Sequence, residues 1–259
     1  MQAVSLPASA GLRWIAEGWA LFKRQPMALF SWAMFVTLVL IFATMTAPIG
    51  PILFIILMPA ITLVTLSIAK RVHQNQKLNA ALWIEPLRTR GVFKKLLVLG
   101  VLYVVICLAA GLIAFLPYAD ELNVAMQALV DTQDVTPLIE AIQTPMLIFA
   151  ALYFLLAALF WYSPILVGWH ATPIGKALFF SAVACWRNKW AFMLYGACWA
   201  GIFIAMDTIV NGLVSLGLPI DLTAALQIPI NVALGSVLYA SFYPTYVSVF
   251  MHVDELTQP

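Results

Sequence analysis

The chain has 259 residues, 64% of them hydrophobic and only 9% charged, with a formal net charge of +2. Soluble domains carry about 25% charged residues, so this chain lacks the polar side chains to coat a water-soluble globule of its size, and lipid is the natural solvent for much of its surface. No basic stripe stands clear of hydrophobic sequence, which excludes nucleic acid as a partner; the solitary Cys107, Cys185 and Cys198 form neither a CxxC motif nor a complete disulfide set and read as small apolar residues.

The opening Met1–Pro26 holds Arg13, Glu17, Lys23 and Arg24 and has no unbroken apolar core before a small-residue cleavage site, so no cleavable signal is expected. Within it, Ala8–Gln25 reads as an amphipathic helix. Leu12, Ile15, Trp19 and Phe22 recur at 3-4-3 spacing, opposite Arg13, Glu17 and Arg24, and Glu17 pairs with Arg13 one turn back. Crossing the hydrocarbon core takes about 20 mostly apolar residues. Met27–Ala47 is the first such span and Ile49–Ala69 the second, joined at the Pro/Gly turn Ala47-Pro48-Ile49-Gly50-Pro51.

A second semi-polar stretch, Gln76–Lys95, is less regular because Pro86 interrupts it; Leu96–Leu116 is the third span. Residues 117–144 form the longest polar connection, with a short amphipathic helix expected over Asp120–Asp131, where Leu122, Ala125, Met126 and Leu129 share a face. Pro145–Trp169 is the fourth span. A third semi-polar stretch, Thr172–Lys189, places Phe179, Val183 and Trp186 at 4-3 spacing. The fifth span, Trp190–Val210, pairs Gly196 with Ala200 and Ala197 with Gly201, a small-residue face suited to another helix of this chain or of a second copy. Asp207 lies 17 residues past Trp190, about 26 Å along a helix, and so near the outer boundary, within reach of Asn211, Gln227 and Asn231. Leu226–Met251 is the sixth span, and Asp254–Pro259 forms the tail.

Lysine and arginine resist translocation and so set orientation. With six spans all 13 fall on one side: Arg13, Lys23, Arg24; Lys70, Arg71, Lys77, Arg88, Arg90, Lys94, Lys95; Lys176, Arg187, Lys189. The other side holds Asp120, Glu121, Asp131, Asp134, Glu140 and Asp221. A wrong helix count would scramble this segregation. It predicts both termini in the cytoplasm and residues 117–144 in the periplasm.

Each odd span follows a semi-polar stretch that ends in an aromatic residue and a base: Phe22-Lys23-Arg24, Phe93-Lys94-Lys95 and Trp186-Arg187. Each even span carries a proline, Pro59, Pro164 or Pro244. The expected architecture is therefore an all-α polytopic bundle forming one integral membrane domain. It has six transmembrane helices, three cytoplasmic-side interfacial amphipathic helices and a parallel threefold repeat over units 8–69, 76–169 and 172–252. The interfacial helices place Lys23, Arg24, Lys94, Lys95, Arg187 and Lys189 against anionic lipid headgroups.

A proline frees a carbonyl of its helix, which in lipid needs a new partner. Hydroxyls stand close by: Thr62 and Thr65; Tyr162 and Ser163; Ser241, Tyr243, Thr245 and Ser248. Two readings stay open. In one, these hydroxyls satisfy the kinks and bond back to their own helices. In the other they form a polar seam, Thr62, Thr65, His73, Ser163, His170, Ser241, Thr245, Ser248 and His252, with the three histidines gathering at its inner mouth to gate, titrate or bind a metal. No Walker loop, HExxH, GxSxG or acidic helix pair is present, and no cofactor is expected.

Phe160-Trp161-Tyr162-Ser163-Pro164, with Pro173, Ala177-Leu178, Ser181, Ala184 and Arg187-Asn188, resembles an uncharacterised family of betaproteobacterial multi-pass inner-membrane proteins, as do Gly11–Trp19, Phe22 and Pro26. The likeness spans most of the chain and implies location and topology. The three-unit plan is also similar to that of mitochondrial carriers. Their signature puts an acid and a base after the proline, where this chain has Ala60-Ile61-Thr62, Ile165-Leu166-Val167 and Thr245-Tyr246-Val247. The sequence thus leads to a non-enzymatic inner-membrane protein that binds lipid, a membrane-protein partner or a second copy and organises the envelope. The alternative is a transporter or channel for a small, weakly polar or lipid-like solute along the pseudo-axis.

Overall fold

A computed structural model of the protein describes residues 3–78 and 82–250. Among these the chain is helical, with no strand. In chain order the helices are α1 (Ala10–Arg24), α2 (Pro26–Met45), α3 (Ile49–His73), α4 (Glu85–Arg88), α5 (Val92–Phe115), α6 (Ala119–Thr132), α7 (Thr136–Phe160), α8 (Ser163–His170), α9 (Ile174–Arg187), α10 (Lys189–Ser215) and α11 (Ile220–Phe250). Six apolar runs among the described residues are long enough to cross a membrane: α2, α3, α5 with its continuation to Thr132, α7 with α8, α10, and α11. They match the six spans in the sequence.

Prolines and glycines punctuate the helices as their backbone chemistry requires. Pro26 opens α2 at a position where a missing N–H costs nothing. Gly91 and Gly217 take the left-handed turn conformation before α5 and between α10 and α11. Pro59 and Pro244 sit inside the continuous helices α3 and α11. Pro164 differs: the fourth span breaks outright between Phe160 and Ser163, and the proline serves the first turn of α8. The interfacial helix expected across Gln76–Lys95 shrinks to the single turn α4, because Pro86 starts a helix there instead of interrupting one. Residues 79–81 of that stretch lie outside the described residues.

The basic ends of the helices are tied to one another. Arg24 Nη1 donates to His73 O at 3.2 Å, Gln25 Nε2 to Gln76 O at 2.7 Å, and Arg71 bonds Glu85 across a short ion pair. The expected Arg13–Glu17 pair closes at 3.6 Å on the surface of α1. Each helix that precedes an odd span lies against an even span: α4 on α3, α9 on α7 and α8, and α1 on α11.

The core occupies the basic-end half of the bundle. Leu63 through Ala69 of α3 are buried, as are Tyr162–Val167 of the α7–α8 break and Tyr243–Tyr246 of α11. Toward the other end Leu38, Ile41, Ile52, Leu112, Ile113, Ile204, Leu222 and Ile228 are exposed. In water such a surface would aggregate; in a bilayer it meets acyl chains.

Small residues set how closely the helices approach. A Cβ on Gly100 would fall 2.0 Å from Ile56 O of α3, one on Gly11 2.4 Å from Ala191 O of α10, and one on Gly18 2.4 Å from Ser241 Cβ of α11. Around Gly196 and Gly201 a Cβ would meet nothing within 4 Å, so among the described residues the small-residue face of α10 packs on no helix. Gly100→Ala is therefore expected to destabilise the protein in detergent by about 1–3 kcal/mol, as overpacking does, whereas Gly196→Ala leaves the melting temperature unchanged or raised. Equal melting temperatures for the two variants would refute the contact.

Candidate functional site

The hydroxyls around the three prolines are used within the protein. Each serine or threonine donates to a carbonyl three or four residues earlier: Thr62 to Met58 O (2.9 Å), Thr65 to Ile61 O (2.8 Å), Ser163 to Leu159 O (2.6 Å) across the break between α7 and α8, Ser241 to Leu238 O (2.6 Å), Thr245 to Phe242 O (2.8 Å) and Ser248 to Thr245 O (3.2 Å). These are not the carbonyls the prolines free, which belong to Ile55, Phe160 and Ala240, four residues before each proline. The hydroxyl oxygens then accept from indoles and phenols of other helices. Trp32 Nε1 donates to Thr65 Oγ1 at 2.9 Å and Trp14 Nε1 to Ser248 Oγ at 2.7 Å. Trp169 Nε1 donates to Ser67 Oγ at 3.2 Å, and Tyr195 bonds Ser241. A hydroxyl both donates and accepts, so one serine or threonine satisfies its own proton and a neighbour's donor.

The break before Pro164 is repaired from outside its own span. Ser181 Oγ of α9 donates to Ala158 O at 2.8 Å and accepts the Tyr162 N–H at 2.9 Å. Its hydroxyl thus spans the i→i−4 pair that the break opens, and Ser181 is fully buried. Tyr162 is buried beside it, its phenol donating to Thr245 O at 3.1 Å across to α11. Nothing in the sequence points to this relay, because its partners lie 19 and 23 residues away on another helix.

Asn188 is a second polar side chain that the sequence reading leaves without a role. Buried at the α9–α10 junction, it accepts Leu6 N–H at 2.8 Å through Oδ1, and its amide donates to Val4 O and Ala184 O, each at 2.9 Å. Arg187 Nη1 donates to Ala3 O at 2.9 Å, and Val4 N–H to Val249 O at 2.9 Å. Together these bonds hold the extended segment 3–6 across the bundle's basic end.

The two described histidines each meet a tyrosine of α11. His170 Nε2 shares a hydrogen bond with the Tyr246 hydroxyl, His73 lies with its ring 5.6 Å from that of Tyr243, and His252 lies outside the described residues. Among the described residues no three His, Cys, Asp or Glu side chains stand close enough to hold a metal. Cys185 is buried in α9, where desolvation pushes its thiol up to about 12.

The basic cluster divides into two kinds. Arg24 and Arg187 spend guanidinium N–H groups on backbone carbonyls, as above. Lys189 lies 4.5 Å from the Trp186 ring centroid and 5.7 Å from that of Trp190, Lys23 lies 5.9 Å from that of Trp19, and Lys94 and Lys95 stand exposed at the start of α5. The rings beside these lysines face outward: Trp19, Trp186 and Trp190 are exposed, as is Phe179. Helices α1 and α9 thus turn small residues (Gly11, Gly18, Ala177, Ser181, Ala184) toward the protein, together with Trp14 and Leu21 of α1, and leave Leu12, Trp19, Phe179 and Trp186 facing away from it.

A cleft opens between α1, α3 and α11, with a volume of about 140 Å³. Glu17, Arg24 and His73 supply its polar wall; Leu21, Pro244 and Val247 supply its apolar wall. Half-burial raises the Glu17 carboxyl above the usual carboxylate range, and the Arg13 guanidinium pulls it down by less.

Ser181→Ala strands the Tyr162 N–H and the Ala158 carbonyl in the core. At about 1–3 kcal/mol for a buried orphan, the melting temperature in detergent falls by several degrees, while Thr62→Val, whose hydroxyl only bonds back to Met58, changes it little. A Ser181→Ala variant as stable as wild type would remove the relay from the account of the break.

Comparison with known proteins finds a probable inner membrane protein of Burkholderia thailandensis that is 31% identical over 260 residues, covering 96% of this chain and 94% of that one. No family model matches the chain, and no solved structure does.

Proposed function

The chain belongs to the family of that inner membrane protein, and from this premise we propose that it works without catalysis, by binding lipid or a membrane partner at the cytoplasmic face and so organising the envelope. One observation carries the reading: large apolar side chains and lysines stand together and uncovered along α1 and α9, while the hydroxyls of the polar seam are consumed inside the protein. Interfacial helices of this composition bind membranes through apolar area plus attraction to anionic headgroups. A transport path along the centre would need Thr65, Ser163 and Thr245 to face water. All three are buried and bonded to carbonyls three or four residues earlier, with Ile165, Leu166 and Tyr246 also buried.

Orientation belongs to the proposal: the 13 basic residues face the cytoplasm. In a variant without native cysteines, Lys77→Cys is expected to react with a membrane-impermeant thiol reagent only after cells are opened, and Asp131→Cys in intact cells. The reverse pattern would overturn the topology. Lipid preference is checked by native mass spectrometry of the full chain from mixed vesicles. Lys94→Gln with Lys95→Gln removes about 1 kcal/mol per charge near an anionic surface, a roughly 30-fold weaker preference for phosphatidylglycerol over phosphatidylcholine at low salt. An unchanged preference would count against lipid binding by these residues.

A further inference from the structure

We propose that the cleft between α1, α3 and α11 is a headgroup site for an aminophospholipid, with Arg24 on the phosphate, Glu17 on the ammonium, and Leu21, Pro244 and Val247 against the glycerol and first methylenes. The proposal rests on the lipid-binding reading above and gives it an address.

Three features of the cleft select this ligand. The first is a pair of opposite charges on one wall. Glu17 and Arg24 are seven residues apart on α1, two helical turns or about 10 Å of rise, and both line the same space. Long side chains from these positions reach inward toward a ligand that bears both charges in one small group. Arg24 has committed one N–H to His73 O; a guanidinium has five, and the rest match phosphate oxygens. Glu17 is satisfied poorly as it stands. Its carboxylate is half-buried and desolvated, and its ion-pair partner Arg13 is at 3.6 Å on the exposed side of the helix. A primary ammonium, with three N–H donors, would meet it from the cleft.

The second feature is size. A water-holding cavity needs about 10–15 Å³; at about 140 Å³ the cleft takes a headgroup and leaves acyl chains outside. The third is depth. The cleft lies where α1 crosses α11, between the cytoplasmic-end residue His73 and the kink residue Pro244. That is the level at which a lipid phosphate sits above the apolar surface of Leu21 and Val247. The charges also predict what is rejected. A choline headgroup carries its positive charge without an N–H for Glu17, and a glycerol headgroup carries none, leaving Glu17 facing a net anion.

The test uses the full-length protein in detergent, loaded separately with phosphatidylethanolamine, phosphatidylcholine and phosphatidylglycerol of identical chains and read by native mass spectrometry at matched lipid concentrations. Wild type is expected to retain one phosphatidylethanolamine about tenfold more tightly than phosphatidylcholine, the size of one charge-assisted hydrogen bond. Glu17→Gln removes a charge from a solvent-exposed ion pair worth little to stability and is expected to abolish that discrimination. Ala20→Leu narrows the cleft without touching a charge and is expected to lower phosphatidylethanolamine retention while sparing the preference for phosphatidylglycerol set by Lys94 and Lys95. Phosphatidylethanolamine held no more tightly than phosphatidylcholine by wild type, or discrimination that survives Glu17→Gln, would overturn the site and, with the phosphatidylglycerol preference intact, leave the general lipid reading standing. Loss of all lipid by wild type would overturn both. Soluble glycerophosphoethanolamine binding as tightly as the lipid would also overturn the assignment, since the site would then serve a soluble ester.

Discussion

In a hydrocarbon solvent a polar group that lacks a protein partner has none, and much of this structure follows from that single constraint. A helix satisfies its own backbone until something interrupts it. The fourth span is interrupted at Trp161–Tyr162, and there a serine from a different helix supplies both halves of the missing bond. The aromatic donors obey the same rule in miniature: Trp14, Trp32, Trp169 and Tyr195 find serine or threonine oxygens whose own protons are bonded elsewhere, and the Tyr162 phenol finds a backbone carbonyl. The seam hydroxyls donate backward to carbonyls three or four residues earlier, and those of Thr65, Ser241 and Ser248 also bond sideways to an aromatic ring of another helix. Such a network specifies which helix faces meet, because a rotated helix would strand several donors together.

This constraint also explains what was legible in the sequence. Spans were, because length and hydropathy are properties of contiguous residues; α3, α7 with α8, and α10 fall where apolar runs of sufficient length lie. The segregation of lysine and arginine likewise depends only on order along the chain. Partnerships between distant helices were not legible. Ser181 reads as an unremarkable polar residue on α9 until Ala158 and Tyr162 are brought to it, and Asn188 gains its meaning from residues 182 and 184 positions away. The second interfacial stretch failed for a local reason, since Pro86 favours the first turn of a helix and the sequence pattern on either side of it does not support a longer one. The break at Pro164 was visible as a proline but not as a full interruption, which depends on an external serine to be tolerated.

Helix faces in this protein follow membrane logic and not the logic of a soluble core. In water the largest apolar residues go inside. Here α1 buries Ala10, Gly11, Trp14, Gly18 and Leu21 and leaves Leu12 and Trp19 outside, and α9 buries Ala177, Ser181, Ala184 and Cys185 while Phe179 and Trp186 stay exposed. Lipid and leucine are equally apolar, so burying leucine between helices gains little; close backbone approach and hydrogen bonds gain more. Of the 3-4-3 residues in α1, Leu12 and Trp19 face away from the protein, while Ile15 and Phe22 pack partly buried against its core. Trp14 and Leu21 are the large residues that α1 does bury, and the Trp14 ring carries an N–H that reaches Ser248.

The same logic divides the bundle along its axis. At the basic end, hydrogen bonds link α1 to α3, the extended segment 3–6 to α9, α10 and α11, and α8 to α11, so side chains are packed and partnered. Toward the other end the helices carry few bonds between them, the Asp207–Gln227 contact at 3.1 Å being one, and their apolar residues face outward. A protein that moved a solute across the bilayer would need comparable gates at both ends of a continuous path. An asymmetric bundle, closed and cross-linked at one face and loosely joined at the other, instead presents one ordered surface to one leaflet. The charges, the outward-facing tryptophans and the cleft beside Pro244 all lie on that surface, and that coincidence is what makes recognition at the membrane boundary the more economical account of the fold.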